Sequence, residues 1–297
     1  MTHAGGELCA SSIDTMVEGV HFRLGDGWAT PPEVGHRALA GALSDLAAVG
    51  AAPGEAFISL GLPPGFAEQQ ALELALGADV LACETGTAIA GGDVVTSPVL
   101  FVSVAVTGWL GAGERPLTRT GAGPGDLVGV TGELGAAAAL LAALDGRAAG
   151  ALEAEPALER ARRPVPRLAE GRALRAAGAS AAIDVSDGLA ADAAALGRAS
   201  GVSLTLEAEL LPLAGGVAIV AERLDLSPAA LGAAGGEDYE LCVCVPPARR
   251  DAVEAALADA GGTGVTWIGE ARAGLPGARL LDGRGDVVRA EGYEHRW

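Results

Sequence analysis

The chain has 297 residues, of which 20 are Lys or Arg and 38 are Asp or Glu, so its formal net charge is −18. This length predicts two domains or one large one. Half of the residues are hydrophobic but only 3% are aromatic, which predicts a core of Ala, Val, Leu and Ile. The negative charge argues against binding to nucleic acid or to an anionic membrane, because no basic surplus is present to displace counterions.

The sequence contains neither lysine nor asparagine. P-loop NTPases need a Walker lysine, protein kinases need a strand lysine and a catalytic-loop asparagine, and pyridoxal-phosphate enzymes need a lysine amine. These three classes are therefore excluded. Abundant carboxylates without lysine instead suit the binding of hard cations.

The first half of the chain mixes helices and strands. Thr30 and Glu33 form a capping box with Pro31 at the first helical position, which predicts a helix over Glu33–Val49 that ends at Gly50. Further along, the patterns predict a strand over Phe57–Leu62, a helix over Ala67–Glu84, and strands over Thr87–Ala90 and Leu100–Trp109.

The Gly- and Pro-rich segment after Arg119 predicts a domain boundary, which divides the chain into domains 1–118 and 119–297. The second half alternates regularly and predicts an α/β layer. Its predicted strands are Leu127–Thr131, Ser180–Asp184, Val202–Leu206, Tyr239–Val245 and Val265–Gly269. Its predicted helices are an Ala/Leu helix after Gly132, Gly188–Ser200 and Arg250–Ala260. Its predicted loops are Arg162–Arg167 and Gly274–Gly285.

Cysteine usage and the N-terminus predict a cytoplasmic location. The four cysteines are too few and too scattered for a disulfide framework, and Cys242 and Cys244, two apart in a strand, are interpreted as a buried apolar pair. No basic start precedes an apolar run, and no stretch of about 20 residues is apolar enough to span a bilayer.

Acidic residues occur where predicted elements end. They are Asp14, Asp45, Asp93, Asp184 with Asp187, and Glu237 with Asp238. An Asp beside Gly is usually a turn former, and Ser186 or Asp187 could simply cap a helix. Asp45 does not fit that interpretation, because a negative charge near a helix C-terminus is disfavoured by about 0.3–1 kcal/mol. Gly91–Gly92 and Gly235–Gly236 would let a bulky ligand approach the backbone. One hypothesis accounts for all of these features: Mg²⁺-bridged phosphates held by the carboxylates, by N–H groups at helix N-termini and by an arginine such as Arg119.

Seven short motifs occur in order along nearly the whole chain. They are Asp-Thr-Met-Val-Glu-Gly-Val-His-Phe22, Ser-Asp-Leu-Ala-Ala-Val-Gly-Ala51, Gly-Gly-Asp93, Arg-Thr-Gly-Ala-Gly-Pro-Gly-Asp126, Arg-Pro-Val-Pro-Arg167, Asp-Val-Ser-Asp-Gly-Leu189 and Gly-Gly-Glu-Asp-Tyr-Glu-Leu241. As a set they resemble the motifs of thiamine-monophosphate kinases. The resemblance implies the two-domain α/β fold of aminoimidazole ribonucleotide synthase, with an N-terminal domain that dimerises through its sheet. It also implies direct transfer of the ATP γ-phosphate onto thiamine monophosphate, with ATP as co-substrate and several Mg²⁺ ions.

The resemblance also assigns roles to individual residues of this sequence. The implied magnesium ligands are Ser12, Asp14, Asp45, Asp93, Asp184 and Asp187, of which Asp93 and Asp187 are the implied catalytic residues. The implied ATP contacts are Gly92, Arg119 and Ser186. The implied thiamine-phosphate contacts are His21, Glu237 and a C-terminal aromatic residue, Tyr293 or Trp297.

One departure from the family pattern leaves alternatives open. Members of the family carry, upstream of the first motif, a helix and a strand ending in a Gly-Asp-Asp motif that supplies a further magnesium ligand, and His3–Glu7 contains no equivalent. The alternatives are another ATP-using enzyme of the superfamily, similar to aminoimidazole ribonucleotide synthase, and a catalytically impaired nucleotide-binding homologue. Selenophosphate synthase is disfavoured by the lack of lysine, and hydrogenase-maturation proteins by the lack of a C-terminal cysteine.

Overall fold

The computed structural model describes residues 2–4, 7–25, 27–151, 156–290 and 292, which form two mixed α/β units, each built on one sheet. The strands are β1 (Thr2–Ala4), β2 (Glu7–Val17), β3 (Ala52–Leu62), β4 (Ala88–Thr96), β5 (Phe101–Leu110), β6 (Leu127–Thr131), β7 (Ala181–Asp184), β8 (Ser203–Glu207), β9 (Leu241–Val245), β10 (Val265–Arg272) and β11 (Gly277–Leu281). The helices are α1 (Pro31–Val49), α2 (Glu68–Thr85), α3 (Ala136–Leu144), α4 (Leu168–Ala177), α5 (Leu189–Ser200), α6 (Val217–Arg223), α7 (Pro228–Ala234) and α8 (Arg250–Asp259).

The N-terminal sheet has the strand order β1-β2-β5-β3-β4, in which only the β3–β4 pair is parallel. Its faces differ because side chains alternate along β5: Val102, Val104 and Val106 are at most 1% exposed beneath the helices, whereas the residues between them are half-buried on the other side. We call this second side the open face. It carries Ile13, Thr15, Phe57, Ser59, Ser103 and Ala105, which are paired across the three central strands.

The C-terminal sheet has the order β11-β8-β10-β6-β9-β7, and only β11 and β8 are parallel. Its core combines strand residues such as Val128, Ile183 and Leu204 with Leu189 and Leu196 of α5. Cys242 and Cys244 are both completely buried, as the sequence predicts, and all four cysteines are free thiols. Within the described ranges, no helix has the length and apolarity needed to cross a bilayer.

Helix α1 joins the two units. It begins with the predicted capping interaction, in which the Thr30 N–H donates to the Glu33 carboxylate at 2.8 Å, and ends at Gly50 with φ of 69°. It packs against α2, β2 and β5 of the first unit and against α4 and β7 of the second. Because it is buried on nearly all sides, its few polar side chains must find partners at the junction between the units.

Several sequence-based boundaries were wrong, and the causes are tertiary. β4 continues through Gly91, Gly92 and Asp93 to Thr96, so these residues do not mark the end of a strand. Glycine is needed at position 92 for β3 and β4 to pair, because a Cβ there would lie 1.9 Å from the Ile58 carbonyl oxygen. Asp14 likewise lies inside β2. The predicted loop Gly274–Gly285 contains β11, which pairs with β8, while α4, α6 and α7 were not predicted.

Candidate active site

Side chains from both units line one cleft. Ser12 comes from β2, Asp45 from α1, Arg119 from the connecting segment and Asp184 from the end of β7. The Ser12 hydroxyl donates to the Asp45 carboxylate, and the Ser44 hydroxyl donates to the Asp184 carboxylate at 2.9 Å. Neighbouring residues of α1 therefore contact both units, since Asp45 accepts from Ser12 of the first unit and Ser44 donates to Asp184 of the second.

The cleft concentrates negative charge in a buried place. Burial, reinforced by the neighbouring Asp45 charge, raises the pKa of Asp184 to about 7. Burial also raises the pKa of Asp45, and the nearby Asp14 charge adds to this effect, while the Ser12 hydrogen bond and the Arg119 charge oppose it. The arrangement disfavours two negative charges at this place unless a cation accompanies them.

The Asp14 carboxylate and Tyr239 of the C-terminal unit both lie close to Gly41 of α1. Alternation along β2 places Asp14 on the same helix-covered face as Ser12. A Cβ built on Gly41 would lie 2.6 Å from Asp14 Oδ2 and 3.2 Å from the Tyr239 hydroxyl oxygen. The missing side chain at Gly41 therefore leaves the space in which the Asp14 carboxylate and Tyr239 approach α1.

The loop 184–188 and the turn 235–239 are held together by their backbones. The Glu237 N–H donates to the Ser186 carbonyl oxygen at 2.8 Å, and the Tyr239 N–H donates to the Val185 carbonyl oxygen at 2.9 Å. Glu237 and Tyr239 have φ of 64° and 52°, a left-handed conformation that costs energy in residues other than glycine. The loop that carries Asp187 and the turn that carries Glu237 therefore form one unit.

Arg37 links the two predicted thiamine-phosphate contacts. Its guanidinium forms an ion pair with the Glu237 carboxylate and makes a long 3.5 Å contact with the His21 carbonyl oxygen. The ring of His21 is held by its own turn, since Nδ1 accepts the Val17 N–H at 3.0 Å. A cation on α1 thus lies between His21 and Glu237.

Asp93 and its neighbour Gly92 lie apart from the cleft. Asp93 pairs with Ser59, which pairs with Ser103, which pairs with Thr15, so Asp93 is three strands from β2. At a strand spacing of about 4.8 Å this separation is roughly 14 Å. The register also places Asp93 on the open face, opposite to Asp14. Tyr293 and Trp297 lie outside the described residues.

Asp238, which stood beside Glu237 among the acidic candidates, caps a helix instead. Its carboxylate accepts the Gly135 N–H at 2.7 Å at the start of α3. Burial raises the pKa of Asp238 to about 7. The N-terminus of α3 is therefore occupied by a side chain of the chain itself and is closed to a phosphate.

The donor chemistry of the cleft fits Mg²⁺. Carboxylate and hydroxyl oxygens are hard ligands, and the mutual repulsion of Asp45 and Asp184 would be relieved by a cation. Among the described residues, no three His, Cys, Asp or Glu side chains converge closely enough to form a complete metal site. Mg²⁺ usually keeps several waters and is bound through one or two carboxylates together with substrate phosphates.

Sequence reasoning missed four residues of this region: Arg37, Gly41, Ser44 and Asp192. The helical period contained a usable signal for two of them, because Arg37, Gly41 and Asp45 follow at intervals of four residues and share one face of α1. Asp192 lies in the first turn of α5, where an acidic residue is common, so its hydrogen bonds to the backbone N–H groups of Ser186 and Asp187 were not foreseeable from the pattern.

Comparison with known proteins identifies the family. The model of the AIR synthase related protein N-terminal domain matches residues 1–110, and that of the C-terminal domain matches residues 123–278. The chain is 37% identical over 294 residues to the thiamine-monophosphate kinase of Salmonella typhimurium strain LT2, covering 97% of this chain and 87% of the relative. The chain belongs to the thiamine-monophosphate kinase family.

Solved structures of this family agree with the fold. The thiamine-monophosphate kinase of Stenotrophomonas maltophilia K279a superposes with a TM-score of 0.82 at 32% identity, covering 94% of this chain and 87% of that one. AaThiL complexed with AMPPCP and TMP superposes with a TM-score of 0.85 at 28% identity, covering 99% and 89%. The resemblance noted in the motifs and the predicted two-domain α/β fold are thus confirmed. The predicted boundary after residue 118 falls between the two matched domains and stays a prediction.

Proposed function

We propose that the protein is an ATP-dependent kinase that phosphorylates thiamine monophosphate to thiamine diphosphate. The observation that carries the proposal is the cleft at the junction of the two units, which combines Asp45, Asp184 and Arg119 with the nearby Arg37–Glu237 pair. Membership of the thiamine-monophosphate kinase family and the likeness to AaThiL bound to AMPPCP and TMP support it.

The candidate residues divide into proposed roles. Ser12, Asp14, Asp45, Asp184 and Asp187 would hold Mg²⁺, which when bound neutralises phosphate charge. Arg119 and Ser186 would contact ATP, while Gly92, which lies apart from the cleft beside Asp93, would do so only within the dimer proposed below. His21 and Glu237, with Tyr293 or Trp297, would contact thiamine monophosphate. The Arg119 guanidinium supports this division, because it influences the pKa values of both Asp45 and Asp184 and is well placed to attract phosphate.

We propose direct transfer without a phosphorylated enzyme. The substrate phosphate is already ionised near neutral pH and needs no general base, so alignment and charge neutralisation can supply the catalysis. The chain has no lysine, and the Ser12 and Ser44 hydroxyls donate to Asp45 and Asp184, which as proposed metal ligands are not free to act as bases for a serine nucleophile. A stable phosphoserine at either position, after incubation with labelled ATP alone, would contradict this mechanism.

The test compares Asp187→Asn with Asp251→Asn in a thiamine diphosphate assay. Asp187→Asn keeps the shape of the side chain but removes its charge, so turnover should fall by orders of magnitude while circular dichroism shows an intact fold. Asp251, in the first turn of α8, is exposed and should tolerate the same change. Unchanged turnover in Asp187→Asn would refute the proposed role of Asp187. Wild-type protein that binds ATP·Mg²⁺ without turnover would favour the catalytically impaired alternative.

We propose a homodimer formed through the N-terminal sheet. Ile13 and Phe57 on the open face are 70% and 46% exposed, and every residue of the edge strand β4 is exposed, with Val94 at 63%. Exposed apolar side chains beside an unpaired strand edge are typical of a protein interface. Asp93 lies on this face, so its proposed place in a metal site depends on the dimer.

The dimer is tested by sedimentation of Phe57→Glu. A charge on the open face should convert the dimer to a monomer, whereas Leu275→Glu, at a position 89% exposed in the other unit, should leave the dimer intact. A wild-type monomer at micromolar concentration would refute the proposal.

The cytoplasmic location stays a prediction, which the free thiols of all four cysteines support.

A further inference from the structure

We propose that Asp192 is a positioning residue that fixes the loop 184–188, and through it the candidate ligands Asp184 and Asp187. The inference rests on the proposed function of this loop in binding metal and nucleotide. One oxygen of the Asp192 carboxylate, Oδ2, accepts the backbone N–H groups of both Ser186 and Asp187, each at 3.0 Å. The side chain is buried, with the residue only 5% exposed, so these contacts are sheltered from water.

These two hydrogen bonds fix the orientation of consecutive peptides. When the N–H groups of Ser186 and Asp187 both point at one oxygen, the side chains that follow from those peptides have little freedom. The opposite edge of the loop is also held, because the Ser186 carbonyl oxygen accepts the Glu237 N–H at 2.8 Å. Asp192 therefore orients the metal-binding loop directly and the turn that carries Glu237 indirectly.

The geometry differs from that of an ordinary helix cap. Helix α5 begins at Leu189 after Gly188, and a capping side chain would accept N–H groups of the first helical turn. The Asp192 carboxylate instead extends backwards past Gly188 to amides that precede the helix. Gly188, between the loop and the helix, cannot carry a side chain without a clash, since a Cβ there would lie 2.7 Å from the Ala234 carbonyl oxygen.

A matched control separates positioning from general stability. Asp126 is also a buried carboxylate of the C-terminal unit, and it accepts the Gly123 N–H at 2.9 Å and the Ser180 hydroxyl at 2.6 Å. Neither of these partners is a candidate site residue. Loss of Asp126 should therefore weaken the fold without changing how the folded protein binds metal.

The experiment measures Mn²⁺ binding in the presence of AMPPCP, together with kcat, KM for ATP and thermal unfolding, for Asp192→Ala, Asp192→Asn and Asp126→Ala. Removing the support of a metal ligand typically costs 10- to 100-fold in metal affinity, and we expect a loss of this size in Asp192→Ala. Asp192→Asn should recover most of the affinity, because its amide oxygen can accept the same two N–H groups. Asp126→Ala should lower the unfolding temperature and leave Mn²⁺ affinity unchanged.

Two outcomes overturn the proposal: wild-type Mn²⁺ affinity in folded Asp192→Ala, or an equal loss of affinity in Asp126→Ala. If Asp192→Ala does not fold, Asp192→Glu takes its place, because one added methylene displaces the acceptor oxygen while keeping the charge. Wild-type Mn²⁺ affinity in Asp192→Glu also refutes the proposal. Absence of thiamine monophosphate phosphorylation by the wild type would refute the proposed function, but the Mn²⁺ and AMPPCP measurement would still test the role of Asp192.

Discussion

Gly41→Ala separates the requirements of the cleft from those of the fold. Gly41 lies in the middle of α1, where alanine is favoured over glycine by about 1 kcal/mol of helix propensity. The added methyl group would lie 2.6 Å from Asp14 Oδ2, and the carboxylate would have to retreat by about 0.8 Å to reach an ordinary contact of 3.4 Å. The cost of that movement is small for the fold, because the atom displaced is the end of a flexible side chain.

The expected result is a stable protein with impaired chemistry. The gain in helix propensity and the contact with Asp14 oppose each other, so the free energy of unfolding should change by no more than about 1 kcal/mol. A displacement approaching 1 Å at a reacting centre can cost about 100-fold in rate, and we expect kcat/KM to fall by about 10- to 100-fold. Raising the Mg²⁺ concentration should recover part of the loss, because the proposed ligand is displaced but still present.

Gly35 of the same helix provides the opposite control. A Cβ there would lie 1.9 Å from the Leu74 carbonyl oxygen, which is backbone and cannot retreat, so Gly35→Ala must move α1 away from α2. We expect this variant to lose about 1–3 kcal/mol of stability, as overpacked cores do, while its remaining folded molecules keep their Mg²⁺ dependence. The assays are urea unfolding and thiamine diphosphate formation as a function of Mg²⁺ concentration.

The reasoning about Gly41 fails if Gly41→Ala keeps the wild-type kcat/KM and Mg²⁺ dependence. It also fails if Gly41→Ala is destabilised as strongly as Gly35→Ala. The first result would show that the position of Asp14 is unimportant for turnover. The second would show that the space above Gly41 serves helix packing rather than the carboxylate.

Two further predictions concern stability. Burial raises the pKa of Asp238 from 3.8 to about 7, so the native state binds a proton more readily than the unfolded state and loses stability as the pH rises from about 4 to about 7. Asp238→Asn should therefore reduce the difference between the unfolding free energies measured in urea at pH 5 and at pH 8. An unchanged difference would show that Asp238 does not titrate in this range. Arg167 donates to both oxygens of the buried Glu240 carboxylate, at 2.7 and 2.5 Å. Arg167→Met should lower the free energy of unfolding by about 3–5 kcal/mol because it leaves a buried charge without its partner, and the double variant Arg167→Met/Glu240→Met should recover much of that loss. Equal losses of unfolding free energy in the single and double variants would contradict this account.

Local patterns in the sequence predicted the elements whose ends are marked by local chemistry. The capping box at Thr30 and Glu33 and the left-handed Gly50 defined α1, and the β-branched run Leu127–Thr131 matched β6 residue for residue. The ordered motifs also indicated the family. These signals were sufficient because each depends on neighbours within a few residues.

Tertiary structure decided which of the candidate residues meet. Asp14 and Asp93 looked equivalent in the sequence, yet sheet register places Asp14 against α1 and Asp93 on the open face three strands away. The roles of Arg37 and Asp192 depend on Glu237 and on the loop 184–188, which reach them only through folding. The order of strands in the sheet, the packing of α1 between the units and the backbone contacts between distant loops are long-range properties, so no local pattern in the sequence encodes them.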